Sequence, residues 1–221
     1  MTTTTMKAYK GMGMEGGIAR WYDKTTRKDM AAIRELAAKI AAMTPAGGEV
    51  LEIAPGPGFL SIELAKRGLD VQAVDISETF VEIARKNAEA EGAAATFMLG
   101  NAAEVPVRSA SLDFVVCRAA FKNFTEPVKA MREMLRVLRP GGTALLIDMR
   151  RDVSVDELRK YVDSLGVSWF NRKFMMLTFR GMLIKRAYPL EEIRRMAAEA
   201  GWKDLRIETN PVGFSALATK Q

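Results

Sequence analysis

Short apolar runs alternate along the chain with amphipathic stretches. EVLEIA (49–54), VQAVDI (71–76), TFMLGN (96–101), LDFVVCRA (112–119) and TALLIDM (143–149) are β-prone and bounded by turn residues. Between them, FLSIELAKRG, SETFVEIARKNAEAEG and EPVKAMREMLRVLRPGG space their apolar residues as helices do, the last closing on a Gly–Gly stop. Upstream, 29–43 sets Met30, Ile33, Leu36, Ala37 and Ile40 along one helical face, with Asp29 as N-cap and Pro45 and Gly47–Gly48 as the stop. Strands and helices alternating at this spacing predict a parallel sheet with right-handed crossovers. After Met149 the rhythm breaks. Two helix-like stretches follow, 155–166 and 168–188, then a helix opened by Pro189 and two final strand candidates, WKDLRIET and GFSALATK.

Composition narrows the chemistry. The 221 residues are 48% hydrophobic, enough for one substantial core. No apolar run approaches the roughly 18 residues of a membrane helix. The start, MTTTTMKAYKGMGMEGG, lacks the hydrophobic centre of a signal peptide, so a cytoplasmic protein is expected. One cysteine, Cys117, excludes an intramolecular disulfide framework and a multi-Cys zinc site. There is no histidine, which removes His–Asp triads, His-ligated metals and imidazole acid–base chemistry together. No metal is expected. The net charge of +6 is uneven: residues 150–195 hold 11 Lys/Arg against 6 Asp/Glu, whereas 50–149 hold 11 against 13. No Arg/Lys block or nucleic-acid motif accompanies the excess. It suits solvated helix faces, or a basic rim around an anionic ligand.

The sharpest local feature is strand–PGPG–helix at 49–66. Gly56 and Gly58 give a ligand access to the backbone, Pro55 and Pro57 stiffen the turn, and the next helix starts with free N–H groups. Alone, this signal is shared by nucleotide-binding folds in general. Glu52 lies near the end of the first strand, and Asp75 ends the second about 20 residues beyond the loop, where an acid reaches ribose hydroxyls. A dinucleotide site would prefer a third glycine where Ser61 stands, and Glu52 would repel phosphate. A carboxylate beside the glycine turn suits a cationic ligand.

At these residues the sequence resembles the class I S-adenosylmethionine-dependent methyltransferases. VLEIAPGPG (50–58) is similar to the family's first motif, with Ala54 in place of its first glycine. VQAVDIS (71–77) resembles the second, whose acid holds the cofactor ribose, with Ile76 beside it. LGNAAEVPV (99–107) matches the third: Asn101 stands where Asp is usual, and Ala102 would approach the adenine. Residues 112–149 match the fourth strand through the fifth, including the LRPGG turn. The resemblance implies an α/β fold with a doubly wound, mostly parallel seven-stranded sheet. Helices would cover both faces, and a helical insertion would follow strand 5. It divides the chain into an N-terminal lid segment and helix (1–45), a cofactor-binding core (46–150), a cap (151–188) and a C-terminal helix with antiparallel strands (189–221). It implies S-adenosylmethionine as cofactor, S-adenosylhomocysteine as product, and Arg118 as a contact for the methionine carboxylate.

In many members the stretch matching AFKNF (120–124) carries two histidines; here Lys122 and Asn123 stand there. Tyr22, in ARWYD, resembles an aromatic that lids the cofactor in some relatives. Tyr22, Lys122 and Asn123 are the candidate catalytic residues, with no base assigned. Methyl transfer is an in-line displacement that needs a base only when the acceptor keeps its proton. A chain without histidine therefore favours an acceptor already nucleophilic at neutral pH, and the basic lid segments favour an anionic one. Met175, Met176 and Met182 with neighbouring aromatics are helix packing or an adaptable acceptor wall. The expected partner is a small-molecule O-, N-, S- or C-acceptor, with the protein a monomer or homodimer. A protein or nucleic-acid methyltransferase, a non-methylating cofactor-binding protein and a nicotinamide-dependent oxidoreductase are the alternatives. The NPPY-type tetrad of many base-modifying enzymes is absent, since the fourth strand continues as CRAAFKN.

Overall fold

The structure, a computed structural model, describes residues 9–10, 14–27, 30–164, 169–179 and 184–221. The expected cap Asp29 and Met182 lie outside the described residues. Seven strands form one sheet: β1 (Glu49–Ile53), β2 (Asp70–Asp75), β3 (Ala95–Leu99), β4 (Leu112–Arg118), β5 (Leu138–Met149), β6 (Arg206–Thr209) and β7 (Gly213–Thr219). Their order is β3-β2-β1-β4-β5-β7-β6. β1 to β5 pair in parallel, while β7 runs antiparallel to both β5 and β6. The mixed sheet departs from the 3-2-1-4-5-6 order of a dinucleotide fold because the C-terminal hairpin slips β7 in beside β5.

Alternation along the central strands builds two cores. Leu51 and Ile53 of β1, with Val115 and Cys117 of β4, join a cluster with α5 (Pro127–Val137) and α9 (Leu190–Ala200). Val50, Phe114 and Val116 point the other way, onto α2 (Met30–Met43) and α3 (Phe59–Ala65). Strands buried on both faces read as near-continuous apolar runs, as FVVC (114–117) does, whereas β1 is interrupted by Glu49 at its start and by the buried Glu52. On the second face α4 (Glu78–Ala90) packs Val81, Ala84 and Ala88 against Ile62, Ala73 and Phe97. Its N-cap is Ser77, whose Oγ accepts from Phe80 N at 3.1 Å. Cys117 is fully buried, and burial pushes its thiol well above the ordinary range, so it acts as a small apolar side chain.

One boundary differs from the sequence pattern. The helix ends at Val137, and the LRPGG run enters β5 rather than forming a helix stop. Leu138 pairs with Leu112 across a register shift, and Gly141, at φ +82°, donates its N–H to the Lys220 carbonyl at 2.8 Å. Residues 139–142 bulge out of the ladder before Thr143 resumes it opposite Phe114, so the run keeps its turn chemistry inside the strand. Beyond β5 come α6 (Val155–Ser164), α7 (Trp169–Thr178) and the short α8 (Ile184–Arg186). At the N-terminus, α1 (Gly16–Thr26) packs on α4.

Candidate functional site

A cavity of about 510 Å³ opens at the carboxyl ends of β1, β2 and β4, the end where open parallel sheets take ligands. Its wall brings together Glu52, Ala54, Pro55, Gly56, Asp75, Ile76, Asn101, Ala102, Arg118, Lys122, Asn123 and Tyr22. Gly58 stands behind that wall. A Cβ there would lie 2.9 Å from Ala84 and from the Phe97 ring, so this glycine, at φ +82°, lets α3 approach α4 and β3. At Gly56, φ +55°, a Cβ would meet nothing closer than 3.9 Å. Its glycine serves the turn's backbone conformation.

Asp75 ties that turn to the end of β2. One carboxylate oxygen accepts the Gly56 N–H at 3.0 Å and the other the Ser77 N–H at 2.9 Å. Burial nevertheless pushes its carboxyl up to about 6. Glu52, deep in β1, accepts from the Ser61 hydroxyl at 2.5 Å, and burial raises it to about 7 against the opposing pull of Ser61 and Arg118. Ser61, the residue that breaks the dinucleotide glycine pattern, thus serves Glu52. Neither acid forms an ion pair among the described residues. Asn101 turns its Oδ1 onto the Ala103 N–H at 2.9 Å, which leaves its amide N–H₂ available to the cavity. Tyr22 of α1 sets its ring edge-on to Phe80 at 5.9 Å between centroids.

Ala54 leaves β1 at φ +57°, in the left-handed region, so its methyl group is strained where a glycine would be free. Ala119, just after β4, does the same at φ +59°. Both line the cavity. Ala54→Gly is expected to raise stability by about 1 kcal/mol, or about 2–4 °C in thermal midpoint, because relief of strain exceeds the added chain entropy. A lower midpoint in a thermal melt would contradict the strain.

The side of the cavity toward β5 carries groups that the sequence pattern did not mark. Tyr9 forms an antiparallel bridge with Phe124, and the Lys10 N–H donates to the Asn123 carbonyl at 2.7 Å. Burial pushes the Tyr9 phenol up, while Arg186 and a hydrogen bond with the Asn123 side chain act the other way. Arg186 of α8 also lines the wall. Tyr9 sits in a Thr/Gly/Met-rich start with no periodicity to mark it. Arg186 lay unremarked inside a helix-like stretch. Lys122 is buried: its Nζ donates to Asp148 Oδ1 at 2.9 Å and to the Ala119 carbonyl at 2.6 Å. Among the described residues no group of His, Cys, Asp and Glu could hold a metal ion, and no helix is long and apolar enough to cross a membrane.

Residues 51–146, the strands and turns that build the cavity, match a family model described as a methyltransferase domain. The demethylmenaquinone methyltransferase of Deinococcus radiodurans is 36% identical over 117 residues, covering 52% of this chain and 48% of that protein. That of Renibacterium salmoninarum is 28% identical over 181 residues, covering 77% of this chain and 73% of its own. The chain spans about half the length of several curated relatives that it matches. The crystal structure of a SAM-dependent methyltransferase from Aquifex aeolicus superposes with a TM-score of 0.70 at 19% identity, over 92% of this chain and 97% of that one, a likeness of fold. The matched methyltransferase domain coincides with the strands and turns around the cavity, and the chain shares the fold of the S-adenosylmethionine-dependent methyltransferases.

Proposed function

We propose that the cavity binds S-adenosylmethionine with its ribose on Asp75 and its cationic methionyl end toward Glu52, and that its methyl group passes to a small planar acceptor. The observation that carries this is the pair of buried carboxylates beside the glycine turn, raised by burial and without an ion-pair partner among the described residues. A buried carboxylate in that state gains most from a ligand that brings positive charge and hydroxyl donors. Asp75 has already oriented both oxygens with backbone N–H bonds, and each keeps a lone pair for a ribose hydroxyl. The Asn101 amide faces the adenine, Ala102 packs beside it, and Arg118 takes the methionine carboxylate. The cover is drawn from the N-terminal segment, through Tyr9, Met14, Tyr22 and Thr26, and from α8, through Arg186.

When bound, S-adenosylmethionine supplies an electrophilic methyl carbon; the C–S electron pair returns to sulfur as the acceptor's pair forms the new bond, leaving S-adenosylhomocysteine. The chain's part is to hold the two reactants in line and keep water out. Lys122, committed to Asp148 and Ala119, braces the turn that presents Asn123. An acceptor arriving as an anion needs no base here. The names of the Deinococcus and Renibacterium relatives favour a quinone-type ring as that acceptor.

The test is cofactor binding by calorimetry. Asp75→Ala is expected to weaken S-adenosylhomocysteine about 10- to 100-fold, the worth of charged hydrogen bonds to two hydroxyls. The preference for adenosine over 2′,3′-dideoxyadenosine should disappear in the same variant. Unchanged affinity would remove Asp75 from the ribose, and binding of NAD in place of the adenosyl ligands would overturn the reading.

A further inference from the structure

We propose that Arg186, with Tyr9 and Asn123, forms an anion subsite at the acceptor end of the cavity, built to take an ionised oxygen carried on the acceptor ring. This rests on the methyltransferase reading and adds which acceptor the site selects and which residue selects it. Three cations line the wall: Arg118, Lys122 and Arg186. Lys122 is neutralised, with Asp148 Oδ1 2.9 Å from its Nζ and the Lys122 N–H itself on Asp148 Oδ2 at 2.9 Å. Arg118 ends β4, the neighbour of β1, and its charge acts on Glu52 at the cofactor end. Arg186 forms no ion pair or hydrogen bond among the described residues, and its charge acts on the Tyr9 phenol.

Topology brings Arg186 to the cavity from the β5 side of the sheet, with the Tyr9 phenol in reach of both its charge and that of Asp75. Glu52 and Asp75 come from β1 and β2. Arg186 lies two residues before Tyr188, which bridges to Arg150 just beyond β5, on the far side of β4. Tyr188 also accepts a hydrogen bond from the Lys10 ammonium, which lies 4.9 Å from its ring centroid, so Tyr9 and α8 are held to the same side of the mouth. The cavity thus has its acids on the strand ends of β1 and β2, with Arg118 beside Glu52, and its uncommitted cation, Arg186, on the β5 side. A guanidinium at the mouth gains strength once a flat ligand covers it and displaces water. The Tyr9 phenol and the Asn123 amide add hydrogen-bonding groups beside it, a set that suits an enolate or phenolate oxygen.

Two probes separate charge from shape: 2-hydroxy-1,4-naphthoquinone, whose enol is ionised at neutral pH, and its neutral 2-methoxy ether. Each is titrated into the full chain saturated with S-adenosylhomocysteine. The wild type is expected to bind the anion roughly tenfold or more tightly than the ether. Arg186→Gln should bring the two within about twofold, Arg186→Lys should keep part of the preference, and S-adenosylhomocysteine affinity should be unchanged in both. Equal binding of the probes by the wild type, or an undiminished preference in Arg186→Gln, overturns the subsite while leaving the cofactor reading intact. Failure of the wild type to bind S-adenosylhomocysteine overturns the cofactor reading and the subsite with it.

Discussion

Lys122→Met is expected to lower the stability of the folded chain by about 3 kcal/mol, or about 6–12 °C in thermal midpoint for a domain of this size. The pair it breaks is the most buried in the molecule among the described residues, with the two side chains 9% and 1% exposed. Asp148, in β5, collects three donors around one carboxylate. They are the Lys122 ammonium and N–H and the Met149 N–H at 2.7 Å, with the ammonium tied on to the Ala119 carbonyl so that one link closes onto β4. Methionine fills similar volume but leaves the carboxylate charged and out of water. The two backbone N–H groups that still serve it keep the loss at the lower end of what breaking a buried pair costs. Asp148→Asn should cost less, and the double variant less than the sum of the singles, since the two groups act as one unit. An unchanged midpoint with methyl transfer abolished would make Lys122 a reacting group instead of a brace.

Lys122 also shows where the sequence stopped being informative. The chain places lysine and asparagine at 122 and 123, and that much is visible in AFKNF. Its partner Asp148 lies 26 residues away at the end of another strand, and nothing local connects them. The strand–helix alternation, the PGPG turn and the two acids were legible because each is written within a few residues: β-prone runs, small turn residues, an acid at a strand end. Ala54 was legible as a departure but not as a strained one, since its φ of +57° is set by the β1 exit. The LRPGG run carries turn chemistry, and only its contacts with Leu112 and Lys220 place it within β5. Tyr9 and Arg186 line one cavity from nearly opposite ends of the chain. The glycine-turn side of that cavity is assembled from local motifs and the Tyr9–Arg186 side from distant ones, so the first could be read and the second could not.

The protein without ligand is expected to become more stable as pH falls from 8 toward 5, while its affinity for S-adenosylmethionine moves the opposite way. Glu52 titrates at about 7 in the folded chain against an ordinary 4.5, and Asp75 at about 6 against 3.8. A folded value raised above the unfolded one adds stability that is complete below the unfolded value and lost as pH rises through the folded one. Each acid alone corresponds to about 3 kcal/mol, and because the Asp75 charge helps to raise Glu52 the two titrations are coupled. Below about pH 4.5 the trend reverses. Glu15, Glu63, Glu133 and Glu157 are all held below their ordinary range, Glu157 at about 2 by the Ser154 backbone and hydroxyl and by Arg150. Their contribution is present above the unfolded value and disappears as they protonate. Ligand binding has the opposite sign because a cationic methionyl end is balanced by the ionised form of Glu52. One required deprotonation weakens affinity by about tenfold per pH unit below 7. Thermal melts with and without S-adenosylhomocysteine, whose ammonium remains charged, should therefore show a ligand-induced rise in midpoint that is large at pH 8 and shrinks by pH 5.5, over a ligand-free midpoint that climbs. Glu52→Gln should flatten both curves. If the ligand-induced rise were the same at both pH values, the buried carboxylate would not be what recognises the cofactor's positive charge.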